Sequence, residues 1–317
     1  MPPSPATSDM DDSAPVCVLC FNANDPSGLG GLTADICTVA SVGGHPLSVC
    51  TGVYVRDTRS IQGFVPLDAE AISDQARAVL EDISDVQVFK AGFLGSPEAI
   101  GVVAELATDY DGIPLIAYMP DLSWWQDEAI EDYLDAFREL LLPQASVLVG
   151  PHRTLWRWLL PDWSSERSPS ARDLARAAGE MGVPYTLVTG IPLPEQFVEN
   201  QLATPETVVA SGKFELFDAT FAGAGDTLSA ALAALVAAGH DLGEALGEAL
   251  NYLDGCLDAG FRPGMGHHVP DRLFWAQPDP DDAGDKAPGP ESPSSDDHPP
   301  SPEGFVIAPR TRHDTQH

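Results

Sequence analysis

Residues 16–42 read VCVLCFNANDPSGLGGLTADICTVASV, which is a strand pattern, a glycine-rich turn and a helix pattern in that order. The uninterrupted apolar run Val16–Phe21 is typical of a strand that is buried on both faces of a parallel sheet. Leu32–Val42 has the apolar spacing of an amphipathic helix. We therefore expect this unit to begin an α/β domain.

The same alternation of short apolar runs and longer helical patterns continues along the chain. It predicts a fold of the α/β class with a mostly parallel central sheet and helices on both faces. Residues 206–217 are predicted to form a hairpin that turns at Ser211 and Gly212. The other predicted strands are Pro46–Val53, Val86–Phe89, Pro114–Tyr118, Ser146–Val149 and Pro184–Val188. The other predicted helices are Ala69–Leu80, Pro97–Ala107, Asp127–Leu142, Ser170–Met181, Ala224–Ala238 and Leu242–Ala259.

Composition sets the limits of the predicted domain. The first 14 residues are rich in Pro, Ser and Asp, and the chain becomes rich in Pro, Asp and Ser again from Gln277. Such segments bury too little apolar surface to offset the entropy that ordering them would cost. We predict one domain at residues 15–276, a disordered lead at 1–14 and a disordered acidic tail at 277–317.

Charge and cysteine content restrict the partners and the compartment. A net charge of −32 over 317 residues argues against nucleic acid as a partner, because a polyanion would be repelled. No apolar run is long enough to predict a membrane span, and the N-terminus lacks the order of a secretion signal. The five cysteines are too few and too scattered for a disulfide framework. We predict a cytoplasmic protein that binds a small molecule.

A second glycine-rich segment, residues 222–226, runs directly into an alanine-rich helix. Small residues let the backbone approach a ligand closely, and the first amides of a helix favour negative charge. Gly223, Ala224 and Gly225 are therefore candidates for an anion hole. Asp226 has two interpretations. It is either a first-turn carboxylate favoured by the helix dipole or a base that removes a hydroxyl proton beside that anion hole.

The loop after the first strand, Asp25–Gly31, is the other candidate ligand loop, because open α/β sheets bind ligands at the carboxyl ends of their strands. It is also compatible with an ordinary strand-to-helix turn. A dinucleotide fingerprint that begins with Gly28 and Gly30 would need glycine at position 33, where the chain has Thr33. A nicotinamide dehydrogenase is therefore disfavoured.

Several motifs occur in an order that resembles the hydroxymethylpyrimidine and phosphomethylpyrimidine kinases of thiamine biosynthesis, and they span about residues 16–276. These motifs are Asp25-Pro26-Ser27-Gly28, Thr33-Ala34-Asp35, Asp57-Thr58-Arg59, Leu140-Leu141-Leu142-Pro143-Gln144, Gly223–Leu232 and Arg262-Pro263-Gly264-Met265-Gly266. The resemblance implies a ribokinase-like three-layer fold and a homodimer. It also implies transfer of the γ-phosphoryl group of ATP, with Mg²⁺, to 4-amino-5-hydroxymethyl-2-methylpyrimidine and then to its monophosphate.

The resemblance also implies a role for each candidate residue. Asp226 falls on the catalytic base, where this family often has cysteine, and the three residues before it fall on the anion hole. Lys90, just after the third predicted strand, falls where the family also has a lysine, which suggests a phosphate contact. A lysine that snorkels from a strand end to water would give the same pattern. The residues that fall on the pyrimidine pocket are Asp25, Gly28, Gly30, Asp35, Arg56 and Phe93.

Departures from the family pattern keep other functions open. Arg56 stands where the family usually has a glutamine that contacts the pyrimidine, and a guanidinium group offers only donors. Arg56 would suit a carboxylate or phosphate, or it pairs with Asp57 at the surface. The family's Asp-Pro-Val is replaced by residues 118–121, with Asp121 as a displaced acid, and a metal-side glutamate is missing from residues 151–155. No metal ligand is therefore assigned. The alternatives are a kinase with a changed acceptor and a non-catalytic pyrimidine-binding relative.

Overall fold

The computed structural model describes residues 14–125 and 129–276. The predicted lead and tail, apart from Ala14, lie outside the described residues. The described residues belong to one unit that ends at Ala276. Among them there is no helix with both the length and the apolar character that crossing a membrane requires.

A sheet of nine strands forms the centre of the described part of the chain. The strands are β1 (Cys17–Asn24), β2 (His45–Arg56), β3 (Ile61–Pro66), β4 (Val86–Ala91), β5 (Leu115–Tyr118), β6 (Ala145–Pro151), β7 (Tyr185–Leu193), β8 (Phe197–Ala203) and β9 (Val208–Glu215). Their order is β3-β2-β1-β4-β5-β6-β7-β8-β9. The six central strands of this order, β2-β1-β4-β5-β6-β7, are mutually parallel. Strand β3 at one end of the sheet and strands β8 and β9 at the other are antiparallel.

Helices cover both faces of the sheet, which confirms the predicted three-layer α/β fold. They are α1 (Gly31–Ser41), α2 (Ala69–Asp82), α3 (Pro97–Asp109), α4 (Ala129–Ala136), α5 (His152–Leu159), α6 (Ala171–Gly179), α7 (Ala224–Ala237) and α8 (Leu242–Asp258). One core cluster packs the sheet against α2 to α6, and a second packs its other face against α1, α7 and α8.

Strand β1 shows why its sequence is continuously apolar. Val18 and Cys20 face the core of α1, α7 and α8, whereas Leu19 and Phe21 face the opposite core, and all four are fully buried. Successive strand residues point to opposite faces, so a strand covered on both sides needs an apolar residue at each position. The same alternation separates Cys17 from Cys20, and both are free thiols.

The predicted hairpin at residues 206–217 is wrong. Ser211 and Gly212 lie inside the single strand β9 and pair with Gln201 and Asn200 of β8. Strand β8 was not predicted, because its sequence FVENQLA carries polar residues at its centre and has no continuous apolar run. Because the partner strand β8 was not recognised, Gly212 between two apolar runs was interpreted as a turn.

Three other differences concern the limits of elements. The predicted helix Asp127–Leu142 is instead α4, a π-helical turn at Phe137–Leu141 and a 3₁₀ turn at Leu142–Gln144, and its first two residues lie outside the described residues. The proline at position 143 cannot donate a helical hydrogen bond, which fits the irregular ending. Strand β3 and helix α5 were not predicted. The sequence of β3, IQGFVP, has Gln62 and Gly63 inside its apolar run, and the eight residues of α5 are too few to show a helical period.

The turn between β1 and α1 depends on glycine at one position. Gly31 has a φ of +61°, and a Cβ there would collide with the carbonyl oxygen of Ala23. Gly28 has a similar φ of +72°, yet a Cβ there would meet nothing within 4 Å. The two positions therefore carry the same backbone strain for an alanine but differ in steric cost.

We predict that Gly28→Ala lowers the free energy of unfolding by about 1–2 kcal/mol, the usual cost of a left-handed residue with a Cβ. Gly31→Ala should lower it by about 1–3 kcal/mol more, because the added methyl group forces the backbone apart. Urea unfolding of both variants and the wild type measures the difference. Equal losses in the two variants would contradict the close approach at Gly31.

Candidate active site

The two predicted ligand segments, far apart in sequence, meet at the carboxyl edge of the parallel strands. The backbone N–H of Gly31 donates to Asp226 Oδ2 at 3.1 Å. Gly223 has a φ of +83°, and a Cβ there would collide with the carbonyl oxygen of Leu29. The loop after β1 and the start of α7 thus form one surface, with the Asp226 carboxylate between them and its side chain 16% exposed.

Lys90 lies inside strand β4 and not just after it, and its side chain is fully buried. Its Nζ lies 2.7 Å from Asp35 Oδ1 and 3.2 Å from Asp226 Oδ1. The alternative of a lysine that snorkels to water is therefore wrong. Asp35 is also fully buried, so the structure joins it to the ammonium group behind Asp226.

This cluster holds two carboxylates and one ammonium group in the interior of the fold. Burial raises the pKa of Asp35 to about 6, although Lys90 opposes the shift. Burial alone would lower the pKa of Lys90, but the Asp35 and Asp226 carboxylates raise it overall. Lys90 therefore remains charged at neutral pH, and the cluster carries more negative than positive charge.

Two buried residues of the site were not predicted from the sequence. Asn22, at the end of β1, donates from Nδ2 to Asp35 Oδ2 at 2.8 Å and to Asp226 Oδ1 at 2.9 Å. The available signal was an amide directly after an apolar strand. Arg272 donates to the carbonyl oxygen of Leu29 at 2.6 Å and to Thr227 Oγ1 at 2.9 Å, which joins the β1 loop to α7. No sequence pattern indicated Arg272.

Arg56 pairs with a carboxylate of the loop after β1. Its Nη1 lies 3.1 Å from Asp25 Oδ2, and its side chain is 9% exposed. Its Nε donates to the backbone oxygen of Asp57, so a surface pair with the Asp57 carboxylate is not formed. Asp25 also accepts from the backbone N–H groups of Ser27 and Gly30 at 2.8 and 2.9 Å. This ion pair therefore fixes the shape of the loop that contains Gly28 and Gly30.

Phe93 lies directly after Gly92 and supports the same region from the core. Its ring stacks on Tyr54 with centroids 5.6 Å apart and meets Trp124 edge to face at 5.6 Å. Its backbone N–H donates to Asn22 Oδ1 at 3.1 Å. Phe93 is almost completely buried, so in this structure it forms a wall behind the site.

A cavity of about 260 Å³ adjoins the start of α7. Ala224 and Gly225 form one side of it, and the remainder is mostly apolar, with Phe214, Leu250 and Leu253 among the lining residues. Cavities with mostly apolar walls and a few polar groups are typical of sites that bind the faces of a planar ring.

The residues at this edge fit a magnesium ion that is held mainly by a nucleotide. The described residues contain no group of three His, Cys, Asp or Glu side chains that could form a metal site alone. Magnesium usually takes one or two carboxylates and completes its shell with phosphates and waters. Asp121, after β5, accepts from the N–H of Ser123 through Oδ1, whereas no described residue donates a hydrogen bond to its Oδ2.

The fold has three layers, with a mostly parallel sheet between two layers of helices. A glycine-rich helix start lies beside the side chain of Asp226 at the C-terminal ends of the parallel strands. Together these features define a ribokinase-like kinase fold. The fold comparison agrees: the ADP complex of pyridoxal kinase from Bacillus subtilis superposes with a TM-score of 0.74 at 20% identity, covering 83% of this chain and 99% of that one. At that identity the likeness concerns the fold alone.

Sequence comparison defines the family. The family model described as phosphomethylpyrimidine kinase matches residues 25–271, and the chain belongs to this family. The hydroxymethylpyrimidine/phosphomethylpyrimidine kinase of Mycobacterium leprae is 30% identical over 274 residues, which is 83% of this chain and 95% of the relative. The enzyme of the same description from Streptomyces coelicolor is 31% identical over 264 residues, which is 80% of this chain and 92% of the relative.

The raised pKa of Asp35 makes stability depend on pH with a definite sign. An unfolded aspartate loses its proton near pH 4, whereas folded Asp35 keeps its proton up to about pH 6. The free energy of unfolding therefore falls as the pH rises from about 4 to about 6. Above about pH 6 the loss stays constant.

We predict that wild type loses on the order of 2 kcal/mol of unfolding free energy relative to Asp35→Asn between pH 4 and pH 6. Above pH 6 the difference between the two proteins should be flat. Urea unfolding of both proteins at each pH measures this difference. The contributions of the carboxylates that both proteins contain cancel when the two free energies are subtracted. A difference that does not change with pH would show that Asp35 ionises normally.

Proposed function

We propose that this protein transfers the γ-phosphoryl group of ATP to the hydroxyl group of 4-amino-5-hydroxymethyl-2-methylpyrimidine, and then a second one to the monophosphate. The observation that carries the proposal is the contact of the Asp226 carboxylate with the β1 loop at the glycine-rich start of α7. The acceptor is supported by the relatives described as hydroxymethylpyrimidine/phosphomethylpyrimidine kinases.

In the proposed mechanism Asp226 removes the proton of the acceptor hydroxyl while that oxygen attacks the γ-phosphorus. The new O–P bond forms as the bond to the β,γ-bridging oxygen breaks, and ADP leaves. The backbone N–H groups of Gly223, Ala224 and Gly225 stabilise the charge on the transferred phosphoryl group, because helix-start amides point outward without partners. Positioning and electrostatic stabilisation supply most of the catalysis in such a transfer.

The two substrates approach from opposite sides of Asp226 in this proposal. The adenine ring takes the apolar cavity beside Ala224 and Gly225, which directs the phosphates towards the start of α7. A bound Mg²⁺ would neutralise charge on the phosphates, with Asp121 as its protein ligand. The pyrimidine lies against the loop that carries Gly28 and Gly30, with Asp25 and Arg56 at its rim.

Lys90 supports the base in this proposal and does not contact phosphate itself. Its ammonium group is fully buried and already bound to Asp35 and Asp226. A phosphate contact would require that arrangement to open and leave a buried carboxylate unpaired, which is costly. Lys90 therefore acts on the phosphoryl group only through the field of its charge.

We also propose a homodimer in a reducing, cytoplasmic compartment. Val53, Val55 and Val65 of β2 and β3 are 39%, 48% and 58% exposed, and Val53 pairs directly with Val65. An exposed apolar patch on a terminal hairpin of a sheet is a typical association surface. The five cysteines are free thiols, which agrees with a reducing compartment.

The function is tested by ATP consumption of the purified protein with Mg²⁺ and either the pyrimidine alcohol or its monophosphate. We predict turnover with both acceptors. Asp226→Asn should lower kcat by about 10²–10⁴-fold, the usual contribution of a general base, and leave nucleotide binding in place. Asp258→Asn, an exposed residue at the end of α8, is the matched control and should keep full activity.

Absence of turnover in a folded protein that binds pyrimidine but not ATP would favour the non-catalytic alternative. Full activity of Asp226→Asn would exclude this carboxylate as the base.

The Arg56–Asp25 pair favours a second candidate function, a kinase whose acceptor carries an anionic group. Arg56 uses Nη1 for Asp25 and Nε for Asp57, which leaves the donors of Nη2 without a partner among the described residues. A guanidinium group with free donors prefers a carboxylate or phosphate to the edge of an aminopyrimidine.

We predict that Arg56→Gln raises the KM for the pyrimidine alcohol, because it leaves the buried Asp25 carboxylate unpaired and loosens the loop. The variant should still prefer this alcohol, since an amide offers the pyrimidine edge both a donor and an acceptor. The KM for an analogue in which a carboxylate replaces the 4-amino group should stay high in both proteins. The anionic-acceptor candidate requires the reverse: wild type would prefer the carboxylate analogue, and Arg56→Gln would lose that preference at least tenfold. Arg77→Gln, on the exposed side of α2, controls for the change of net charge.

A further inference from the structure

Asn22 has an amide group whose hydrogen-bonding capacity is completely used. Nδ2 donates to Asp35 Oδ2 at 2.8 Å and to Asp226 Oδ1 at 2.9 Å. Oδ1 accepts from the backbone N–H of Ala23 at 2.9 Å and of Phe93 at 3.1 Å. A side-chain amide has two donor hydrogens and two acceptor lone pairs, and all four have partners here. The orientation of this amide is therefore determined, because a flipped amide would face donors with donors.

The side chain of Asn22 also has no room to move. It is 1% exposed, and a Cβ at Gly92 would collide with its amide group. Gly92 is itself held, because its N–H donates to the carbonyl oxygen of Phe21 in the neighbouring strand β1. Strands β1 and β4 thus enclose the amide from two sides.

The contacts of Asp226 distinguish its two oxygens. Oδ1 accepts from Asn22 Nδ2 and from Lys90 Nζ, whereas within the described part of the chain Oδ2 accepts only from the N–H of Gly31, at 3.1 Å. Oδ2 also lies towards Gly30, 2.9 Å from the position that a Cβ would take there. Oδ2 is therefore the oxygen with an unused lone pair, and it faces the loop that lines the acceptor side.

We propose that Asn22 is a positioning residue for the phosphoryl transfer. It holds Asp226 Oδ1 so that Oδ2 is the atom that takes the proton of the acceptor hydroxyl. One N–H of the amide binds each carboxylate, so Asn22 separates Asp35 from Asp226 without adding charge of its own. This inference rests on the proposed function of Asp226 as the base.

The position between Asp35 and Asp226 requires an uncharged side chain such as that of Asn22. Lys90 alone supplies one positive charge to two carboxylates, and a third carboxylate in the same place would add repulsion without a donor. Asparagine and aspartate have nearly the same shape. Asn22→Asp therefore removes the donors and adds charge while it keeps the volume of the side chain.

We expect Asn22→Asp to lower kcat by 10- to 100-fold at pH 8, with KM for ATP and for the pyrimidine within about threefold of wild type. As the pH falls towards 6, the variant should regain activity relative to wild type, because the carboxyl group introduced at position 22 can again donate to Asp226 once it is protonated. A merely structural role would not produce this relative recovery. Asn24→Asp, exposed at the end of the same strand, is the matched control and should have the wild-type pH profile.

Asn22→Ala provides a second variant with no titratable group, and its loss of kcat should be independent of pH between 6 and 8. If Asn22→Asp keeps the wild-type kcat at pH 8 while Asp226→Asn is inactive, the inference fails and the proposed function stands.

If wild type phosphorylates neither acceptor, the proposed function fails and the inference that rests on it fails as well. Unfolding measurements test the contact between Asn22 and Asp226 separately. The stabilities of Asn22→Ala, Asp226→Asn and the double variant then form a cycle. Strong coupling between the two substitutions would support the contact that holds Asp226, whereas additive effects would overturn it.

Discussion

The fold of the site depends on the burial of one ammonium group, that of Lys90, between two carboxylates. An unpaired charge in the core costs far more than the folded state can supply, and removal of one partner from a buried pair costs about 3–5 kcal/mol. Lys90 therefore requires Asp35 of α1 and Asp226 of α7 to lie next to β4. Segments that are separated by 55 and 136 positions in sequence are thereby held at one point of the sheet.

Two further buried cations balance the remaining acids around this point. Arg56 neutralises Asp25 in the loop after β1, and Arg272 lies between that loop and the first turn of α7. Burial lowers the pKa of Arg272, but the nearby Asp226 carboxylate counteracts the shift. In a chain with a net charge of −32, three acids and three bases are thus concentrated at the site itself. The acidic surface and the balanced site are therefore independent properties of this protein.

The sequence was sufficient for the layers of the fold because their cause is local. A continuous apolar run indicates a strand that is buried on both faces, and an amphipathic pattern indicates a helix that is buried on one. The six parallel strands follow from these patterns. The same rule ended several strands too early, and two of them lead into the site. The predicted first and third strands stop at Phe21 and Phe89, immediately before Asn22 and Lys90, although both strands continue through these residues. A polar residue ends an apolar pattern, but it does not end a strand when its partner comes from elsewhere in the fold.

The same limit explains what could be predicted of the site. The segments with Gly28, Gly30 and Asp226 were recognisable because small residues before a helix have a local meaning. Arg272 has no such pattern, since its partners Gly28 and Leu29 are 244 and 243 residues away. Strand β8 was missed for a related reason: its polar centre is stabilised by pairing between β7 and β9, which no local pattern reports.

The charge of the site also bears on whether a relative of these kinases that only binds its ligands would keep the Asp226 carboxylate. A helix start binds phosphate through its amides, and a carboxylate in the same turn repels that phosphate. For a protein that only binds a nucleotide, a neutral residue in place of Asp226 would give tighter binding, because it would not repel the phosphates. The acid is useful where a hydroxyl proton must be removed next to the phosphate. In the proposed function, removal of the acceptor's proton accounts for the carboxylate that Asn22, Lys90 and Gly31 hold at this position.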